Sequence, residues 1–289
     1  MNINWYPGHM AKTKKQLREQ ISNVDFVVEI CDARLPYSSR NPDLIGMIGT
    51  RKHILLMNKS DLADSSVSDA WINHFRKSGI DVRLVNSKML SPKDQISMMN
   101  GIANDILAKA ANKGVKKTLR GMVVGVPNVG KSTYINRLHG SSVATTGDKP
   151  GVTKNTQWIR ITPYLSLMDT PGMLWPRLDD QLAARRLCYI GSVSDSVVDL
   201  TELSVSLLED IASVKPEMLK ERFHIDDCTL KGTELLDAVC RGRGFLMKGG
   251  IMDYERCQSV ILDEFRSGKL GRISLEKPSI MKEDTYDGQ

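Results

Sequence analysis

The strongest constraint on the fold of this chain is "GVPNVGKST" at residues 125–133. The pattern Gly125-x4-Gly130-Lys131-Ser132 follows the apolar run "GMVV" and opens a helical pattern. A glycine-rich loop between a strand and a helix is built to cradle phosphates, because its backbone N–H groups converge on an anion. The positive end of the following helix adds to that field. Lys131 is spaced to reach a β- and γ-phosphate, and the Ser132 hydroxyl to ligate Mg²⁺. Asn128, Val129, Gly130, Lys131, Ser132 and Thr133 are therefore candidate phosphate-site residues.

The surrounding pattern agrees with an α/β sheet. "FVVEI" (26–30), "HILLM" (53–57) and "DVRLVN" (81–86) read as strands. Helical patterns at 9–22, 66–79 and 91–114 alternate with them, and "NPDLIGMIG" starts a brief helix with Asn41 as N-cap and Pro42 in its first turn. Strands alternating with helices signal a parallel sheet with crossover helices, and continuous apolar runs fit strands covered on both faces.

Three further loops complete a ligand. Asn58-Lys59-Ser60-Asp61 ends the second strand. The Asp61 carboxylate can accept both the N1–H and the exocyclic amine of guanine, a bidentate fit that adenine does not offer. Asn58 can bridge the base edge and the phosphate loop, and the Lys59 stem can lie along the base. Asn86, Ser87 and Lys88, at the end of the third strand, can supply an N–H to the guanine oxygen. Asp169-Thr170-Pro171-Gly172 ends the apolar run "YLSLM". There Asp169 can hold Mg²⁺ through water, and the Gly172 N–H can meet a γ-phosphate. Between these motifs lies "TTGDKPGVTKNT" (145–156), in which Thr153 is favoured as Mg²⁺ ligand and γ-phosphate sensor over Thr145, Thr146 and Thr156. The ligand read from this set is GTP or GDP with Mg²⁺.

The order is unusual, because the base reader precedes the cradle. The set resembles the translation-factor-like GTPases, circularly permuted. Each motif sits at the carboxyl edge of a parallel strand, so re-cutting the chain at a surface loop keeps the site. "WYPGHMAK" (5–12), "DARLPYSSRNP" (32–42) and the permuted order resemble the YlqF/RbgA family of bacterial ribosome-assembly GTPases over the whole chain. The resemblance implies a P-loop GTPase fold with a mostly parallel sheet and a smaller all-helical C-terminal domain. It implies late maturation of the large (50S) subunit, with 23S rRNA and ribosomal proteins as partners, binding with GTP and release on hydrolysis.

The resemblance also bears on catalysis. Met173 and Leu174 follow Gly172, where many GTPases carry a Gln that orients water. Neither side chain can do this, so a slow site stimulated by its partner is expected. Within the family His9 is the proposed supplier of the missing group, and an imidazole can orient or deprotonate water near neutral pH. In related GTPases an Asn at the position of Asn128 helps bind K⁺ near the β–γ bridge. Lys131 and Thr153 complete the candidate catalytic set. A GTP-dependent RNA-binding scaffold with little hydrolysis is the alternative that Met173 motivates.

Composition narrows the partners. Residues 1–180 hold 25 Lys/Arg against 15 Asp/Glu, and residues 181–289 hold 15 against 19. The basic excess in the first part points to a polyanion there, with the Lys-rich helix 9–22 favoured for rRNA over Arg241, Arg243 and Lys248. Five scattered cysteines without a C-x-x-C pair fit free thiols in a reducing compartment, not a zinc site. No apolar run of about 18 residues is present, and a secretory signal is not expected. A cytoplasmic location and a monomer are expected, with a boundary near residue 178 between a GTP-binding domain (1–178) and a helical domain (179–289).

Overall fold

A computed structural model describes residues 7–89, 91, 93, 97, 99, 101, 104, 106–108, 111, 112, 114, 117–144, 147, 156–174 and 180–278, with side chains from residue 15 onward. Six strands form one sheet: β1 (Phe26–Asp32), β2 (Lys52–Asn58), β3 (Asp81–Leu84), β4 (Leu119–Val124), β5 (Gln157–Thr162) and β6 (Leu165–Asp169). Their spatial order is β3-β2-β1-β4-β6-β5. β3, β2, β1, β4 and β6 run parallel, and β5 is an antiparallel edge. β5 reverses because it joins β6 through a short turn at Pro163 and Tyr164, and so short a connection permits only an antiparallel pair.

One face of the sheet is covered by α1 (Pro7–Ser22), α2 (Leu44–Ile48) and α3 (Ser65–Lys77). Leu17 and Ile21, one helical turn apart, bury against Val27, Met122, Val124 and Met168. Trp71 and Phe75 of α3 stack at 5.1 Å and pack on Cys31, Leu55 and Met57. The opposite face packs against α4 (Lys131–His139) through Tyr134, Ile135 and Leu138. Burying aliphatic side chains of this kind contributes roughly 1.5–3 kcal/mol each.

Local chemistry sets the helix ends. Asp64 caps α3 by accepting the Val67 N–H at 3.2 Å. α2 begins two residues later than the Asn41 cap would place it. Asn41 accepts the Asp43 N–H at 2.9 Å and so closes a turn ahead of the helix. Most of the helical pattern at 91–114 lies outside the described residues, though Met99 there is fully buried.

Residues after 180 form five helices among the described residues: α5 (Gln181–Tyr189), α6 (Leu200–Val214), α7 (Pro216–Phe223), α8 (Gly232–Gly242) and α9 (Tyr254–Ser267). α5 was not delimited by the sequence pattern, although Asp180 caps it by accepting the Ala183 N–H. α6 packs on α7, α8 and α9, its Leu203, Leu207, Leu208 and Ile211 all buried. Residues 272–276 then return to the sheet. Ile273 N–H donates to Leu62 O, Leu275 N–H to Arg34 O, and Trp71 Nε1 to Glu276 O at 2.9 Å. The Glu276 carboxylate is buried and accepts from Ser38 and the Tyr37 N–H, with Arg186 of α5 at 3.4 Å. No described helix is long and apolar enough to cross a membrane.

Candidate nucleotide-binding site

Because the strands run parallel, their carboxyl ends share one edge. Asp32, Asn58, Asn86, Gly125 and Asp169 follow or end β1, β2, β3, β4 and β6 there. Crevices at that edge are where open α/β sheets bind ligands.

Gly130 opens α4 at φ 98°, in the left-handed region that favours glycine. A Cβ there would lie 2.4 Å from Asn58 Nδ2. That close approach lets Asn58 Nδ2 donate to Val129 O at 2.7 Å. Asn58 Oδ1 accepts from both Ser87 N–H (3.0 Å) and Ser87 Oγ (2.8 Å). One buried side chain therefore ties the NKSD loop, the NSK loop and the glycine-rich loop together. Asn86 Oδ1 accepts the Lys88 N–H, which shapes the same turn. Asp61 is exposed at the end of this cluster.

Lys59, at φ 60°, pairs its Nζ with Asp32 Oδ2 at 3.2 Å. Asp32 is fully buried and forked by Arg34 Nε and Nη2. Burial opposes its ionisation, but Arg34 and Lys59 beside it hold its carboxyl well below the usual range. In the sequence, Asp32 and Arg34 stand in "DARLPYSSRNP" with no chemistry marked by their neighbours. Their position at the end of β1, level with Asn58 in the β1–β2 register, gives them a role. The signal available was a charged pair directly after an apolar strand run.

In the phosphate loop, Lys131 is buried, and its Nζ donates to Gly125 O (3.1 Å) and Val126 O (2.9 Å). Burial lowers its pKa to about 8, against a raising influence from Asp169. Ser132 Oγ donates to Asp169 Oδ2 at 3.3 Å. Burial raises the Asp169 pKa, while Lys131 and the Ser132 hydroxyl oppose that shift. Asp169 Oδ1 is buried with no hydrogen-bond partner. An orphaned carboxylate oxygen beside a hydroxyl is a hard-oxygen pair, and it fits a Mg²⁺ ligand set. Thr133 is half-buried in the first turn of α4.

Gly172 lies against the loop, where a Cβ would meet Pro127 backbone atoms at 2.7–2.8 Å. The next residue donates its backbone N–H to Gly125 O at 3.3 Å. That residue is Met173, 9% exposed, whose side chain packs in the cluster of Leu17, Ile21 and Met168 under α1. Asn128, at φ 63°, donates Nδ2 to Gly191 O, and Ser192 Oγ donates to Pro127 O at 2.7 Å. The helical part thus meets the phosphate loop directly.

Two candidates stand apart. Thr153 lies outside the described residues, as do Thr145 and Thr146. Thr156 accepts from Gln20 Nε2 of α1 at 3.0 Å. His9 falls in the first turn of α1, and its side chain lies outside the described part. Of the basic residues after 240, Arg243 is engaged within the helical part, donating to Arg222 O at 3.1 Å.

Comparison with known proteins agrees with this geometry. The family described as "50S ribosome-binding GTPase" matches residues 120–225, from β4 into the helical part. The chain is 38% identical to ribosome biogenesis GTPase A of Bacillus cereus, over 99% of this chain and 98% of that one. It is 41% identical to the Bacillus licheniformis protein of that name, over 97% and 100%. Among solved structures, GDP-bound YlqF of Thermotoga maritima superposes with a TM-score of 0.64 at 27% identity, covering 91% of this chain and 99% of that one. The form titled GNP-bound gives 0.63. The chain belongs to the ribosome biogenesis GTPase A (YlqF/RbgA) family.

Proposed function

We propose that this chain, a GTP hydrolase of ribosome biogenesis, binds a precursor of the large ribosomal subunit with GTP and leaves it on hydrolysis. The observation that carries this reading is the Asn58 junction. It joins a guanine reader, a second base loop and a phosphate cradle at one sheet edge, with Gly191 of the helical part seated on the same cradle.

In this reading Asp61 selects guanine, and the Asn58–Ser87 pair holds the base loops in register. Lys131 exchanges its loop carbonyl partners for phosphate oxygens. Ser132 and Thr153, with Asp169 through water, would hold Mg²⁺, which would supply charge neutralisation at the phosphates. Met173 packs away beneath α1, so the group that orients water comes from elsewhere, and His9 on the same helix is the nominated one. Asn128 is the nominated K⁺ ligand, through its amide oxygen. The domain boundary near 178, contact with 23S rRNA and ribosomal proteins, monomeric state and cytoplasmic location belong to the same proposal.

Co-sedimentation with purified precursor particles tests it. Retention with a non-hydrolysable GTP analogue and release with GDP is the expected result. Equal retention with both nucleotides, or none with either, would count against it.

A further inference from the structure

Trp158 and Tyr164 stand 46% and 69% exposed on β5 and in the turn after it. The strand register sets Arg120, Ser166 and Arg160 side by side on β4, β6 and β5. It likewise sets Trp158 level with Met168 and Met122. The two methionines lie in the cluster beneath α1. Trp158, Arg160 and Arg120 therefore share α1's face of the sheet but lie past its cover.

The Arg120 guanidinium stands 5.7 Å from the Trp158 ring centroid. Among the described residues neither Arg120 nor Arg160 has an ion-pair partner. The nearby carboxylate of Asp25 accepts the Arg120 backbone N–H at 2.9 Å and is paired with Lys117. Lys15 and Arg18 of α1 are exposed, with Glu19 the acidic residue beside them. Gln20 ties the end of α1 to Thr156, two residues before Trp158.

An indole with nearly half its surface in water on a strand face is not one of the core residues. Its chemistry is that of a flat aromatic surface flanked by guanidinium groups. Unpaired nucleotides match it: a base stacks on the ring while the row of two arginines beside it meets the adjoining phosphates. A paired duplex hides its base faces, and the excess of cations around the ring, Arg120, Arg160, Lys15 and Arg18 against Glu19, suits a polyanion.

We propose that Trp158, with Arg120 and Arg160 in the adjacent row of the sheet, is a stacking platform for an unpaired segment of RNA. This rests on the ribosomal reading above, which supplies the RNA. It locates a contact on the edge of the nucleotide-binding sheet, beside the segment that ends at Thr156.

The test is titration of the full chain with a labelled short oligouridylate, comparing wild type with Trp158→Ala, Trp158→Phe and Arg160→Ala. Trp158→Ala should bind about tenfold more weakly, with Trp158→Phe retaining most of the affinity. Arg160→Ala should lower the slope of log affinity against log salt by about one. All three should keep wild-type GDP affinity and basal GTP turnover, which establishes folding. Equal affinities for wild type and Trp158→Ala would overturn the platform while leaving GTP-dependent particle binding intact. If Trp158→Ala weakens particle binding but not oligouridylate binding, the surface meets a ribosomal protein and the RNA assignment is overturned. A wild-type chain that fails to sediment with the particle overturns the ribosomal reading instead, and with it the source of the RNA.

Discussion

Asn58 Nδ2 donates to the carbonyl of Val129, joining two loops 71 positions apart in the chain. The parallel sheet brings the candidate guanine reader and the phosphate loop to one edge, and this amide bonds them to each other there. Replacing it with alanine leaves Val129 O and the Ser87 N–H without their partner in a buried place. Leaving buried polar groups unpaired costs about 1–3 kcal/mol. Asn58→Ala should weaken GTP and GDP alike, roughly 5- to 150-fold. Equilibrium binding of a fluorescent nucleotide reads this, and loss confined to one of the two nucleotides would contradict it.

Arg272 reaches the same loop from the other end of the chain. Its Nε donates to Ala63 O at 2.8 Å and its Nη2 to Ser60 O at 3.1 Å, inside and just past the guanine reader. Arg272→Ala should raise the Kd for GDP by about tenfold with only a modest fall in the midpoint of global unfolding, because Arg272 is exposed and one of its two bonds, to Ser60 O, lies at the surface. Nucleotide affinity measured beside a urea titration separates the two effects. An unaltered Kd would remove Arg272 from the positioning role.

Met173 packs under α1 beside Leu17 and Ile21. A Gln there would bury an amide in an apolar cluster or pull away from it, at a cost of about 1–3 kcal/mol. Met173→Gln should therefore lower stability without raising unstimulated turnover. A tenfold rise in single-turnover rate without ribosomal particles would show that position 173 faces the γ-phosphate and not α1.

Lys131 is held at a pKa of about 8 by burial, against 10.5 for an ordinary lysine. Between these values the unfolded chain binds the extra proton, so this group adds stability to the free protein as pH rises through that window. Phosphate binding has the opposite sign. A triphosphate beside Lys131 favours the ammonium, so binding above pH 8 takes up a proton and affinity falls with rising pH. Calorimetry at pH 8.5 in buffers of different ionisation enthalpy should record net proton uptake. Uptake unchanged in Lys131→Met would assign it to another group.

The candidate nucleotide-site residues are legible because each lies in a short motif at the end of an apolar run, and the parallel strands bring those motifs to one sheet edge. "NKSD", "NSK", "GKST" and "DTPG" carry their chemistry locally. What escaped was long-range. Nothing near Asp32 marks Lys59 as its partner, and nothing near Gly191 marks Asn128. The return of residues 272–276 onto Leu62, Arg34 and Ser38 joins positions more than 200 apart. The antiparallel edge β5 was not legible either, since its direction depends on the length of the connection to β6 and not on alternation. α5 is only nine residues long, so its i, i+3, i+4 stripe of Ala184, Leu187 and Cys188 spans too few turns to delimit it from the sequence.

The central claim is that a permuted guanine-nucleotide site lacks its own water-orienting group and receives it in a complex. GTP turnover in K⁺ buffer, with and without purified large ribosomal subunits, tests it most directly. Stimulation on the order of a hundredfold, abolished by His9→Ala at saturating subunits, is predicted. Tight GTP-dependent binding with unchanged turnover would contradict it and make the chain a GTP-gated scaffold.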